Sequence, residues 1–225
     1  MKAIIFDSST LISFAMNGIL DVLRELKKVF NGSFVITQDV KREVIERPMT
    51  IKRFELEALK IQGLLDEGVL EISAKAGISD GEISKKTEEI LKNANVIFTG
   101  KGSDIKLISS GEASCLALSR LLTEKKIANV IAIDERTTRM LVENPENLRK
   151  FLERKMHTKI KFRKDNFEFF KGFKIIRSAE LVYIAHKKKL VKLGNGKLLD
   201  ALLWAVKFKG CAISDDEIKE IKKIA

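Results

Sequence analysis

Cysteine, histidine and glutamine are each present only twice in 225 residues, and the first two scarcities each narrow the function. Cys115 and Cys211 sit in apolar, helix-like settings without metal-ligand spacing. A disulfide framework or thiolate metal site is therefore not expected, and both should be buried free thiols. His157 and His186 are isolated in basic stretches, so neither is read as catalytic. No apolar run approaches the ~20 residues of a membrane span. The N-terminus also lacks the basic, apolar and small-residue order of a signal peptide, and the expectation is a cytoplasmic protein with no membrane role. No repeat or low-complexity linker divides the chain.

Positive charge is plentiful. A formal charge of +11, a pI near 9.6 and 45% apolar residues describe a chain that can bury a core and still attract polyanions, which makes nucleic acid the leading partner class. High charge with little glutamine also matches proteins that use ion-pair networks at high temperature.

Ala3, Ile4, Ile5 and Phe6 are apolar without alternation, as in a strand buried on both faces of a parallel sheet. Asp7 closes that strand, and Ser8, Ser9 and Thr10 offer N-cap chemistry for the next helix. Asp7 thus falls at a carboxyl edge, where ligands of open α/β sheets bind. It reads either as a cap or as a functional acid. A phosphotransferase aspartate of the haloacid dehalogenase type would want a second acid where Ser9 stands.

Three further acids occupy comparable places. Glu43 flanks the apolar stripe Val40, Val44, Ile45 of a helix capped by Thr37 and ended near Pro48. Glu112 stands three residues after Ser109 at the start of a helix that is apolar nearly all round. That spacing is a capping box, repeated at Ser79/Glu82 and Ser214/Glu217. The strand Val130 to Ile133 ends in Asp134-Glu135 and so repeats the layout of the first strand; Asp134, shorter and closing the strand, is the fourth acid chosen, with Glu135 as the alternative. Strands alternating with helices predict a mostly parallel sheet covered on both faces. Carboxylates converging at its edge without His or Cys suit a hard cation, Mg²⁺ or Mn²⁺.

An amphipathic helix with Ile51, Phe54, Leu56, Leu59 and Ile61 is expected over residues 49–62. Between residues 145 and 174, Arg154, Lys155, Lys159, Lys161, Arg163 and Lys164 are interleaved with Phe151, Phe162, Phe167, Phe169 and Phe170. The lysines and arginines are candidate RNA contacts. The phenylalanines are either stacking platforms for bases or core. The apolar helix from Leu198 to Phe208 is expected to complete the core, with a subunit interface as the alternative.

The motifs IIFDSSTLISF, VKREVIE, SGEASCLALS, IAIDERTTRML, RSAELVYIAHKKKLV and ALLWAVKFKGCAIS, in that order, resemble the PIN-domain family, which includes the VapC-type toxin ribonucleases and many archaeal PIN-like proteins. The resemblance implies an α/β fold, a PIN-like three-layer α/β/α sandwich formed by residues 1–225 as a single domain. A helical excursion at about 49–104 and a basic insertion at about 145–174 would interrupt it. It implies metal-dependent hydrolysis of RNA phosphodiester bonds, with Asp7, Glu43, Glu112 and Asp134 holding Mg²⁺ or Mn²⁺. Homodimers are usual in that family, and its toxins pair with antitoxin proteins. The insertions argue against a compact toxin, and the basic one is a candidate substrate-binding surface; toxin and processing enzyme both stay open. The competing reading is a PIN-like RNA-binding or scaffold protein without turnover, and a third is a phosphorylated switch around Asp7.

Overall fold

The computed structural model describes residues 2–193 and 196–224 and does not cover the side chains of 76, 164 and 165. Lys164, expected to contact RNA, therefore lies outside the described residues as a side chain.

The chain begins with β1 (Lys2–Phe6), α1 (Ser8–Met16), α2 (Leu20–Val29), β2 (Ser33–Ile36) and α3 (Gln38–Lys41). A π-helical turn (Arg42–Glu46) leads into α4 (Arg47–Met49), followed by α5 (Glu55–Asp66), β3 (Glu71–Ile72) and α6 (Asp80–Ala94). Next come β4 (Phe98–Gly100), β5 (Ser103–Asp104), α7 (Ser110–Glu124), β6 (Ala128–Ala132), α8 (Arg136–Glu143) and α9 (Pro145–Met156). The chain continues through β7 (Ile160–Phe162), α10 (Lys164–Phe167), β8 (Ile175–Ile176), α11 (Ser178–Lys187), α12 (Leu198–Phe208) and α13 (Asp215–Lys223).

The fold is α/β. Its main sheet runs β3-β2-β1-β6-β8 with every pairing parallel. Successive side chains on a strand point to opposite faces, so the complete burial of Phe34, Val35 and Ile36 in β2 means that both faces are covered there. From β1 the sheet grows outward to β2 and β3, and in the other direction to β6 and β8. β1 and β6 are neighbours, and the strand order reverses between them. That reversal is the switch point at which ligands of open sheets bind.

The two segments expected as excursions, about 49–104 and 145–174, meet in space. β4, from the first, pairs antiparallel with β7 from the second, and β5 completes a small three-stranded sheet. On β7, Ile160 is buried and Lys161 exposed, a two-residue alternation that sets Lys159, Lys161 and Arg163 on one outward face.

Several local expectations are corrected. The helix with Glu43 does not stop before Pro48; it passes through the π-helical turn and continues into α4, with Pro48 in its first turn. The helix expected over 49–62 is α5, Glu55–Asp66; it buries Ala58, Ile61 and Leu64, while Leu56 and Leu59 on it and Ile51 and Phe54 before it are exposed. The phenylalanines of the basic stretch are not free platforms. Phe98 stacks on Phe162, Phe162 meets Phe167 and Phe169 meets Phe170, while Arg136 lies over Phe151. Both cysteines are buried and free, as expected. Among the described residues no helix is long and apolar enough to cross a membrane.

Candidate metal centre

Asp7 stands at the carboxyl end of β1, held to β6 by its N–H, which donates to the Ala132 carbonyl at 2.9 Å. It caps α1 itself, a task that the sequence offered to the following hydroxyls. Its Oδ2 accepts from the Ser9 N–H at 2.9 Å and the Ser9 hydroxyl at 2.5 Å. Its Oδ1 is buried and has no partner. Burial, assisted by the Glu43 carboxylate, lifts the Asp7 pKa to about 6 against the lowering by Ser9.

Glu43 projects from the π-helical turn, the kind of local widening often found at functional positions. Its carboxylate lies against the first turn of α7, so close that a Cβ on Gly111 would fall 2.5 Å from Oε2. Only glycine fits there without displacing the carboxylate.

Glu112 completes the Ser109 capping box on α7. Its Oε2 accepts from the Ser109 N–H at 3.2 Å and from the Thr138 hydroxyl of α8 at 2.7 Å. Burial is the main reason its pKa rises to about 7; the Asp7 and Glu135 charges add to the rise, and the Thr138 bond opposes it. Cys115, one turn further along α7, registers the same field. Its thiol is pushed well above the ordinary range, first by burial and then by Asp7, Glu43 and Glu112 together.

Asp134 and Glu135 have different duties. The Asp134 carboxylate turns to α11, where Oδ1 accepts from the Ser178 N–H at 2.8 Å and Oδ2 from the Ser178 hydroxyl at 2.5 Å. Burial nonetheless raises its pKa, with Ser178 opposing. Its backbone N–H donates to the Ser9 hydroxyl at 3.0 Å, so Ser9 ties the ends of β1 and β6 together. The Glu135 side chain caps α8 through the Thr138 N–H at 2.8 Å, and its charge is the one from this pair that reaches Glu112.

Asp7, Glu43 and Glu112 are thus linked electrostatically, Glu43 acting on Asp7 and both Asp7 and Glu135 on Glu112, while the Asp134 carboxylate is bonded to Ser178. Among the described residues no three Asp, Glu, His or Cys side chains converge as a ready-made cage for an ion. The donor chemistry nevertheless fits a hard cation: all-oxygen, mutually repelling, and with an orphaned oxygen on Asp7. Beside Glu43 opens a polar cleft lined by Asp39, Arg42, Glu46, Arg47, Thr50 and Ser110. On its other side is an apolar groove between Ile12, Met16 and Phe54.

Gly111, Thr138, Ser9 and Ser178 escaped the sequence reading. Gly111 had a local signal, a glycine in a helix's first turn next to a candidate acid. The other three act across the sheet, and no local pattern reveals that. Of the candidate RNA contacts, Arg154, Lys155, Lys159, Lys161 and Arg163 are exposed, with Arg163 3.6 Å from Asp104.

No protein-family model, curated protein or solved structure matches the chain.

Proposed function

We infer that the chain is a metal-dependent endoribonuclease of PIN type, a three-layer α/β/α domain carrying its acids at the β1/β6 switch point. The observation that carries this reading is the placement of three acids: Asp7 at the end of β1 with a buried Oδ1 that has no partner, Glu43 with its carboxylate against Gly111, and Glu112 in that same first turn of α7. Burial raises the cost of ionising Asp7 and Glu112, and a neighbouring carboxylate adds to it in each case, Glu43 for Asp7 and Asp7 for Glu112. A divalent cation offsets that cost.

Asp7, Glu43 and Glu112 would hold the ion, with Glu135 taking the fourth place in preference to Asp134, whose two oxygens are committed to Ser178. Bound Mg²⁺ or Mn²⁺ supplies a water of lowered pKa and stabilises charge on the leaving oxygen. Ser9 and Thr138 keep Asp7 and Glu112 oriented by donating to one oxygen of each. The exposed cations of β7 and α9 contribute phosphate contacts that hold RNA without reading its sequence.

The alternative, an RNA-binding module without turnover, draws support from that same basic face, which needs no metal. Incubation of purified protein with mixed single-stranded and structured RNAs, with Mn²⁺ or chelator, separates the two. Products that require Mn²⁺ are expected; retention of every RNA uncut would favour the binding module.

A further inference from the structure

Helix α12 has a buried side and an unexplained one. Leu199, Leu202, Leu203 and Val206 enter the core, as the sequence predicts, but Phe208 is 76% exposed and Trp204 is half-buried. These two are one turn apart on the same face. Their rings stack at 5.5 Å between centroids and 28° between planes. Lys207 Nζ lies 4.6 Å from the Trp204 ring centroid and also pairs with Asp215, and Lys209 is exposed just beyond the helix.

The stack adjoins the candidate centre. Gly210, at φ +112°, turns the chain back so that the Ala212 N–H donates to the Asp134 carbonyl at 3.3 Å. Arg139 and Arg177 each donate to the Ala212 carbonyl, at 2.9 and 3.1 Å, which fixes this return. Lys207 then borders the same cleft as Glu135 and Arg136.

We propose that Trp204 and Phe208 form a stacking platform for an unpaired base of single-stranded RNA, with Lys207, Lys209 and Arg136 meeting the adjacent phosphates. The proposal rests on the reading of the chain as an RNA-acting protein, and does not need the metal. A planar aromatic face beside several cations is what a single strand offers partners for, one base and its phosphates at a time. Lys207 lies over the Trp204 ring and lines one cleft with Arg136, so the stack continues into a basic surface.

Trp204 is the chain's only tryptophan, so its fluorescence reports this face alone. The full chain is titrated with a short oligouridylate in chelator, where cleavage cannot occur. Saturable quenching is expected. Phe208→Ala should weaken binding about tenfold, within the range of base–aromatic stacking, and Phe208→Tyr should restore it. Because Phe208 is exposed, neither change should alter the circular dichroism melt. Binding without quenching, or undiminished affinity in Phe208→Ala, would overturn the platform. So would a wild-type dimer that Phe208→Ala dissociates, which would assign the face to a second copy. Quenching with no Mn²⁺-dependent cleavage would uphold the platform and sink the nuclease; cleavage with no quenching would do the reverse.

Discussion

Gly111 and Glu43 are in contact where a side chain on the first would occupy the space of the second's carboxylate. The helix that carries Glu112 is thereby also the wall that positions Glu43. Replacing Gly111 with alanine sets helix propensity against site geometry: alanine favours a helix by up to about 1 kcal/mol, yet its methyl group must push Glu43 aside. Gly111→Ala is expected to melt no lower than the wild type while losing most of its RNA cleavage. A variant that cleaves normally would show that the placement of Glu43 is immaterial.

Ionised Asp7 and Glu112 should destabilise the metal-free protein. Both pKa values are raised on folding, to about 6 and about 7. Between about pH 4 and 7 the native state therefore binds more protons than the unfolded chain, and stability falls as pH rises through that window. Asp7→Asn retains a capping oxygen for Ser9 and removes the charge. Without metal it should be more stable than wild type at pH 8, by up to roughly 3 kcal/mol, with the gap closing near pH 4. Thermal melts across that range in chelator test this. A variant less stable than wild type at pH 8 would assign Asp7 to capping alone.

The adjacent acids Asp134 and Glu135 should fail in different ways. Asp134→Ala strips acceptors from the buried Ser178 N–H and hydroxyl, at a cost of about 1–3 kcal/mol. Glu135→Gln keeps an oxygen for the Thr138 N–H, so its fold should hold while cleavage drops. Denaturant melts alongside cleavage rates separate these outcomes. A Glu135→Gln enzyme of full activity would return the fourth place to Asp134.

The outward face of β7 should contribute to affinity and not to chemistry. Neutralising Lys159, Lys161 and Arg163 together is expected to flatten the salt dependence of RNA binding, each lost phosphate contact reducing the slope by roughly 1. Arg163, close to Asp104, should contribute least. An unchanged slope would move the RNA path elsewhere.

What could be read from the sequence followed its periodicity. The unalternating run Ala3–Phe6 marked a buried strand, and the capping boxes at Ser79, Ser109 and Ser214 marked helices that the structure contains. Acids placed at strand ends were visible because a strand's end is a local feature. Which of two neighbouring acids turns where was not: Asp134 is drawn away by Ser178, 44 residues on. The exposed apolar side chains Phe54, Leu56 and Phe208 mimic core in a one-dimensional pattern. Their true side depends on how the helices are rotated against the sheet. The pairing of β4 with β7 joins residues some 60 positions apart, with neither strand long enough to declare itself.

The central claim is that the carboxylates at the switch point hold a divalent cation. Titration of the protein with Mn²⁺ at pH 7.5, followed by the electron paramagnetic resonance signal of the free ion, measures this without reference to any substrate. The account predicts saturable binding that Asp7→Asn and Glu112→Gln each weaken at least tenfold, and that Asp134→Asn leaves nearly intact. Mn²⁺ binding that is absent, or equal in the wild type and Asp7→Asn, would contradict it.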